Sequence, residues 1–307
     1  MTCLSGGHLR GAFTPVVTPF KDGHVAYDTY ARLIEFQVKQ GAHGVLVNGT
    51  TAEPSTLTVD ERNRLVDTAV EVAAGRIPVI AATGSQSLAE TRQLTEHAAD
   101  RGVDALLVVT PYYICPSQRG LVAYYTEVGR ISPIPLMMYH IPGRAAVSAT
   151  VDTLEELRAK VPSFIGMKHA ANDLVLVSEA LQRCGREFRI FVGLEDLSLP
   201  MLAIGACGLM NAVGNLVPQR IAALYGAASS GNLAEANRLH HELYSLNRAV
   251  FFDTNPQPVK YMMMRLGLLP ENEHRLPMLP VDAKVARRLD QVMENANLAP
   301  FNGARTS

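Results

Sequence analysis

The chain has 307 residues, of which 48% are hydrophobic, and its formal net charge is −1. A net charge near zero does not indicate binding to nucleic acid or to an anionic membrane. No apolar run approaches the roughly 20 residues of a membrane-spanning helix. The first residues lack the apolar core of a secretory signal, and the four cysteines are scattered without a CxxC pair. We therefore expect a cytoplasmic protein that binds neither nucleic acid nor membrane.

Eight short apolar runs alternate with helical patterns along the first 215 residues. Each run is almost continuously apolar, as expected for a strand that is covered on both faces. The predicted strands cover residues 11–20, 44–49, 78–84, 105–111, 135–142, 164–170, 189–195 and 208–215. Repeated strand–helix units of this kind favour a parallel sheet.

The segments between the strands are amphipathic, and two of them begin with helix-capping signals. Thr58 is followed by Glu61 and Ser87 by Glu90, which is the spacing of a capping box. Eight strand–helix units in about 225 residues match a closed (β/α)8 barrel. A doubly wound open sheet is the alternative, but its usual Gly-rich phosphate turn is missing after the first predicted strand.

The pattern changes after Asn215, where helical segments follow one another without further strands. The sequence therefore predicts an α/β fold of two parts. Residues 1–230 form a (β/α)8 TIM barrel that carries the active site. Residues 231–307 form a C-terminal helical domain, and its last residues, 299–307, resemble a frayed tail.

Active sites of such barrels lie at the C-terminal ends of the strands, and several reactive side chains are predicted there. These strand ends carry side chains with hydroxyl and phenol groups, one lysine, one arginine and two positions whose backbone could contribute. The residues are Gly49, Thr50, Thr51, Tyr113, Tyr139, Arg144, Lys168 and Met210. No cluster of His, Cys and carboxylate residues has the spacing of metal ligands, so we expect no metal.

Each of these residues also has a structural explanation. A lone lysine at a strand end is more often a solvated charge, and Tyr113 and Tyr139 could be capping aromatics whose hydroxyls reach water. The turn at Thr50 could simply cap a helix, and Arg144 could lie on a surface loop. Their coincidence on one rim of the barrel favours a functional site.

A lysine with this surrounding suits imine chemistry. Burial lowers the pKa of a lysine, and the neutral amine attacks a ketone to form an imine that stabilises an adjacent carbanion. Tyr139, Thr50 and Tyr113 are candidates for the proton transfers. Backbone N–H groups near Gly49 could hold one carboxylate, and Arg144 could hold another.

At these residues the sequence resembles the pyruvate-dependent class I lyases, whose best-known members are dihydrodipicolinate synthase and N-acetylneuraminate lyase. The resemblance extends over nearly the whole chain and rests on "GTTAE", "TPYY", "YHIPGR" and "GMK" at their observed spacing. It implies a (β/α)8 barrel with a C-terminal helical domain, assembled as a homotetramer of tight dimers. It implies no cofactor beyond the covalent lysine imine.

The resemblance also implies a role for each residue. Lys168 forms the imine, and Tyr139 is the general acid and base. Thr50 and Tyr113 complete a proton relay, and Tyr113 reaches across the tight dimer interface into the active site of the other subunit. Thr51 binds the pyruvate carboxylate, with Gly49 and the backbone at Met210 nearby, while Arg144 binds the carboxylate of the aldehyde partner.

Within the family the chain is most similar to dihydrodipicolinate synthases, with three departures. Ala52 stands where those enzymes mostly have Gly, and His169 stands where they mostly have Glu. The segment "AANDL" replaces their usual Thr/Ser-Gly-Asp/Asn run. The reaction expected first is condensation of pyruvate with an acidic aldehyde such as aspartate semialdehyde. A 2,4-dihydroxyhept-2-ene-1,7-dioate aldolase, which uses succinate semialdehyde, is the alternative.

Two further classes of function are less well supported by the residues. A barrel isomerase for sugar phosphates would need an anion site after the seventh strand, and "GLEDLSLP" is acidic and apolar there. A non-catalytic binding protein on the same fold should have lost Lys168 or Tyr139, and the chain contains both.

Overall fold

The eight predicted strands form a closed parallel barrel in the computed structural model, which describes residues 6–132 and 134–301. The barrel strands are β1 (Gly11–Pro15), β4 (Gly44–Val47), β5 (Val79–Ala82), β6 (Ala105–Val109), β7 (Leu136–His140), β8 (Phe164–His169), β9 (Arg189–Val192) and β10 (Gly208–Met210). They are neighbours in chain order, and β10 pairs with β1 to close the barrel. The predicted fold class is confirmed.

Two very short strands, β2 (Phe20–Lys21) and β3 (His24–Val25), form an antiparallel pair outside the barrel. The sequence prediction had included Phe20 in the first barrel strand, and this boundary is wrong. The strand ends at Pro15, and the next apolar residues, Val16 and Val17, are fully buried in a loop. An apolar run therefore overestimates a strand wherever the following loop is itself buried.

Helices connect successive barrel strands on the outside of the barrel, and further helices follow the last strand. The helices are α1 (Tyr27–Lys39), α2 (Val59–Ala73), α3 (Leu88–Asp100), α4 (Gln118–Ile131), α5 (Pro142–Ala145), α6 (Val151–Lys160), α7 (Leu174–Cys184), α8 (Ser198–Ala203), α9 (Pro218–Ser229), α10 (Leu233–Ala249), α11 (Gln257–Arg265) and α12 (Ala283–Asn295). In the described part of the chain, none of these helices is both long and apolar enough to cross a membrane.

The two predicted helix caps differ in the structure. Thr58 and Glu61 form a complete capping box, with the Glu61 N–H donating to Thr58 Oγ1 and the Thr58 N–H donating to the Glu61 carboxylate. Ser87 caps α3 by accepting from the Glu90 N–H, but the Glu90 carboxylate instead accepts from Arg62 and from Ser85. The sequence spacing thus predicts the cap, while packing decides where the carboxylate goes.

The barrel has two hydrophobic layers. The inner layer fills the barrel with side chains such as Phe13 and Phe191, whose rings meet edge to face at 5.3 Å. The outer layer lies between the strands and the surrounding helices and continues into the C-terminal helices. Because both faces of the strands are buried, the strands read as continuous apolar runs.

The C-terminal helices pack against the barrel. Helix α10 contacts α8 and α9, and α11 contacts the turn that follows β10. The domain division at residues 230 and 231 remains a prediction. Of the predicted frayed tail, residues 302–307 lie outside the described residues.

Candidate active site

Lys168 lies on β8 and points into the mouth of the barrel. It pairs in register with Tyr139 on the neighbouring strand β7, and its Nζ is 4.5 Å from the centre of the Tyr139 ring. Only 4% of Lys168 is exposed, so its ammonium does not extend into bulk solvent as a surface charge would. Among the described residues no hydrogen bond or ion pair to the Lys168 ammonium is formed. A buried amine without a counter-charge is rare unless it serves chemistry.

Tyr139 and Thr50 form a hydrogen-bonded pair beside this lysine. Their hydroxyl oxygens are 3.2 Å apart, although the two residues are 89 positions apart in the sequence. Thr50 begins a short 3₁₀ turn, Thr50–Ala52, after β4, and Tyr139 is buried on β7. Either hydroxyl can donate, so the pair can pass a proton between the two side chains.

Tyr113 does not join this pair within its own chain. Its side chain is 86% exposed, and its backbone has a φ of 74°, in the left-handed region that β-carbon-bearing residues rarely adopt. The structure thus brings together Lys168, Tyr139 and Thr50 and directs Tyr113 outward. This placement leaves the role of Tyr113 across a dimer interface as a prediction.

The four residues predicted to bind substrate lie around the same opening. Thr51 and Met210 are buried and line a cavity of about 280 Å³ together with Lys168. Gly49 lines a larger adjoining cavity of about 630 Å³. Arg144, on the short helix α5, is exposed and lines both cavities, and in the described chain its guanidinium makes no hydrogen bond or ion pair. It is therefore available to a ligand.

Glu195 is a buried carboxyl group in the smaller cavity, and it was not among the predicted site residues. One carboxyl oxygen accepts from the Ala212 N–H at 2.6 Å, and the other has no partner among the described residues. Burial raises the pKa of Glu195 to about 7, opposed by that N–H bond and by the Lys168 charge. At pH 7 this carboxyl group is therefore only partly ionised, and it forms no ion pair with Lys168 in the structure.

Gly193 provides the space that the lysine occupies. A β-carbon at this position would lie 2.9 Å from Lys168 Cε and 2.8 Å from Ala170 Cβ, which is too close for either contact. Gly193 was not among the predicted site residues, because a glycine at a strand end usually indicates only a turn. Its function here is to leave room for a side chain on the neighbouring strand.

A histidine pair lies behind Tyr139 and Lys168 at the ends of β7 and β8. His140 and His169 follow Tyr139 and Lys168 directly, and their Nδ1 atoms are 3.0 Å apart in nearly parallel rings. The other ring nitrogen of His140 bonds to Ser148. Burial and the neighbouring His169 lower the pKa of His140 to about 4, and burial also lowers the pKa of His169. Both rings are therefore neutral at pH 7.

Comparison with known proteins gives the family. The model of the dihydrodipicolinate synthetase family matches residues 8–296. The chain belongs to this family. It is 41% identical over 293 residues to a 4-hydroxy-tetrahydrodipicolinate synthase of Thermus thermophilus, in a match that covers 95% of this chain and 98% of that protein. The prediction of an enzyme, a lyase of the pyruvate-dependent aldolase type, is confirmed.

Solved structures of this family have the same fold. The dihydrodipicolinate synthase of Aquifex aeolicus superposes with a TM-score of 0.93 at 37% identity, covering 96% of this chain and all of that one. The chloride-inhibited synthase of Acinetobacter baumannii, solved in complex with pyruvate, superposes with a TM-score of 0.91 at 30% identity. That match covers 94% of this chain and 99% of the other.

Proposed function

We propose that this enzyme condenses pyruvate with a carboxylate-bearing aldehyde through an imine on Lys168. Aspartate semialdehyde is the aldehyde that we propose first, because the relatives are named 4-hydroxy-tetrahydrodipicolinate synthases. The observation that carries the proposal is the buried Lys168 ammonium, which has no hydrogen-bond or ion-pair partner among the described residues and faces the Tyr139–Thr50 pair. The pyruvate complex of the Acinetobacter baumannii relative supports the first substrate.

The reaction begins when Lys168 gives up a proton and its neutral amine attacks the C2 carbonyl of pyruvate. Tyr139 supplies a proton to the carbonyl oxygen, and loss of that oxygen as water leaves a protonated imine. Removal of a proton from C3 gives the enamine, whose C3 forms the new bond to the aldehyde carbon while the aldehyde oxygen takes up a proton. Attack on the imine carbon by water, or by an amino group of the product, then releases Lys168.

The remaining site residues bind the two substrates in this proposal. The Thr51 hydroxyl and the backbone near Gly49 and Met210 bind the pyruvate carboxylate, and Arg144 binds the carboxylate of the aldehyde. The exposed Tyr113 side chain supports its transfer to the site of a second copy, in a homotetramer built from tight dimers.

No metal or cofactor takes part in the proposed reaction. Among the described residues no group of three or more His, Cys, Asp or Glu side chains is arranged to hold a metal ion. The imine itself supplies the electron sink that a metal provides in other aldolases. Exhaustive chelation should leave full activity, and the enzyme should work in the cytoplasm.

The decisive experiment is reductive trapping of the imine. Borohydride added with pyruvate should attach a reduced pyruvyl group to Lys168, which peptide mass spectrometry will locate. Lys168→Ala should give no adduct, and the matched control Lys160→Ala, which removes an exposed lysine, should be labelled like the wild type. An adduct at another residue, or none in the wild type, would falsify the imine mechanism.

The aldehyde is identified by product analysis. With pyruvate present, aspartate semialdehyde and succinate semialdehyde should be compared at equal concentration, and the proposal expects faster turnover of aspartate semialdehyde. Faster turnover of succinate semialdehyde would instead assign the enzyme to the 2,4-dihydroxyhept-2-ene-1,7-dioate aldolases. Either result leaves the Lys168 chemistry unchanged.

A further inference from the structure

Asn255 connects the C-terminal region to the substrate cavity. It lies between α10 and α11, is 8% exposed, and lines both adjoining cavities. Its Nδ2 donates a hydrogen bond of 3.0 Å to Thr51 Oγ1, which lies 204 residues earlier in the chain. The residue therefore reaches the same threonine that we propose for binding the pyruvate carboxylate.

A buried ion pair holds the C-terminal region against the same turn. Lys260, one turn into α11, contacts Glu53 at 2.9 Å, and His274 contacts the other oxygen of Glu53 at 3.2 Å. The side chains of all three residues are at most 1% exposed. Burial lowers the pKa of Lys260, and the Glu53 carboxylate opposes that shift. Glu53 lies two residues after Thr51, so this contact limits the movement of Thr51 relative to Asn255.

The hydrogen bonds of the Thr51 hydroxyl determine what it can do. A hydroxyl has one proton to donate and two lone pairs that accept. The Asn255 amide occupies one lone pair, and in the described chain no acceptor takes the Thr51 proton. The hydroxyl proton is therefore left for an acceptor in the cavity, and a carboxylate is a strong acceptor.

We infer that Asn255 is a positioning residue for the pyruvate carboxylate, acting by holding the Thr51 hydroxyl as a donor. This inference rests on the proposed function. The opposite amide orientation would place Asn255 Oδ1 against the hydroxyl, draw the Thr51 proton onto it, and leave oxygen lone pairs facing the carboxylate. The donor orientation is the one that favours an anion.

Two substitutions of Asn255 test whether it positions the Thr51 hydroxyl for the pyruvate carboxylate. Asn255→Ala removes the donor and should raise the KM for pyruvate about tenfold, as expected for loss of one oriented bond to a charged group. Asn255→Asp keeps the shape but accepts the Thr51 proton and adds a negative charge, so its KM should rise further than that of Asn255→Ala. The KM for the aldehyde should change less than about twofold in both variants.

A double-mutant cycle determines whether Asn255 acts through Thr51. Thr51→Val removes the hydroxyl while keeping the shape, and in that background Asn255→Ala should change the pyruvate KM by less than about twofold. Pyruvamide, which lacks the carboxylate, provides a second measurement. Its rate of borohydride trapping should fall much less than that of pyruvate when Asn255 is changed.

The controls separate this inference from the proposed function. Asn237→Ala, at an exposed position on α10, should behave as the wild type. Multiplicative losses in the double mutant, equal losses for pyruvate and pyruvamide, or an Asn255→Asp variant with wild-type KM would each overturn the role of Asn255. If pyruvate gives no adduct on Lys168 in the wild type, the proposed function fails instead.

Discussion

The ends of strands β7 and β8 carry two residue pairs with opposite properties. Tyr139 and Lys168 point into the smaller cavity, and in the described chain Lys168 has no hydrogen-bond or ion-pair partner. His140 and His169, one residue later on each strand, bond to each other and hold neutral rings. Because side chains alternate across a strand, a step of one residue moves from the reactive face to the supporting face.

The two faces of β7 and β8 have different functions in this arrangement. The inward face contains groups whose polar atoms remain available to a ligand. On the outward face, His140 uses both of its ring nitrogens in contacts with protein groups, which fixes the strand ends relative to each other. Changing one residue on each face should therefore affect different properties of the enzyme.

The largest difference is expected between Lys168→Met and His169→Gln. Lys168→Met removes the proposed nucleophile and should lower kcat by several orders of magnitude, while the fold gains an apolar side chain in place of a buried ammonium. His169→Gln should change kcat by less than about tenfold, because its side chain lies behind the site. Steady-state kinetics with thermal unfolding will measure both. If His169→Gln lost as much activity as Lys168→Met, the two faces would not be functionally separate.

Gly193→Ala should damage the reactive face without unfolding the chain. The new methyl group would displace the end of the Lys168 side chain, and a shift of about 1 Å lowers catalysis by about a hundredfold. Gly226→Ala is the matched control, because a β-carbon there meets no atom within 4 Å. Rates of imine trapping should fall only for Gly193→Ala. Equal rates in the two variants would show that the lysine tolerates the methyl group.

Arg144→Ala should remove selectivity at the rim of the reactive face. Loss of a charge-assisted, two-pronged bond to a carboxylate, worth about 1.5–3 kcal/mol, should lower kcat/KM for an acidic aldehyde by roughly ten- to a hundredfold. The uncharged analogue of that aldehyde should be affected little, and imine formation with pyruvate should survive. Equal losses for the charged and uncharged aldehydes would rule out a carboxylate contact.

The outward face should affect stability rather than activity, and its effect should appear as a pH dependence of unfolding. Unfolded histidine takes up a proton near pH 6.5, whereas folded His140 stays neutral until about pH 4. Between these values the unfolded state binds more protons, so the free energy of unfolding should fall with decreasing pH, by roughly 3 kcal/mol for this group. Above pH 6.5 the contribution is fully retained.

His140→Asn should remove most of this acid sensitivity. Glu195 contributes with the opposite sign, since its raised pKa makes the fold more stable as pH falls from 7 toward 4.5. The quantity to compare is therefore the difference between variant and wild type, measured by denaturant unfolding at each pH. His241→Asn, on an exposed site of α10, is the control. Identical pH profiles for His140→Asn and wild type would contradict a buried neutral pair.

The barrel and the inward-facing residues Tyr139 and Lys168 could be predicted because short local sequence patterns indicate them. Buried strands appear as apolar runs, and Lys168, Tyr139 and Thr50 each stand directly at the end of such a run. The boundaries were less predictable, as the overlong first strand shows. No local sequence pattern distinguishes a buried loop from the continuation of a buried strand.

The remaining features of the site depend on contacts between distant segments. Asn255 is 204 residues from Thr51, and Lys260 is 207 residues from Glu53. Gly193 is important only because Lys168 passes beside it on the neighbouring strand. A single sequence does not indicate which glycine or asparagine will face which partner, because that depends on how the barrel closes.

The contact between Lys260 and Glu53 also determines when during synthesis the site can be completed. Glu53 leaves the ribosome about 200 residues before its cation does, yet its carboxylate ends up fully buried. Burying that charge alone is unfavourable by several kcal/mol, so the turn that carries Thr51 cannot settle until α11 has been made. We therefore expect the nascent barrel to stay inactive until nearly the whole chain has emerged. Truncated chains that lack α11 should not bind pyruvate.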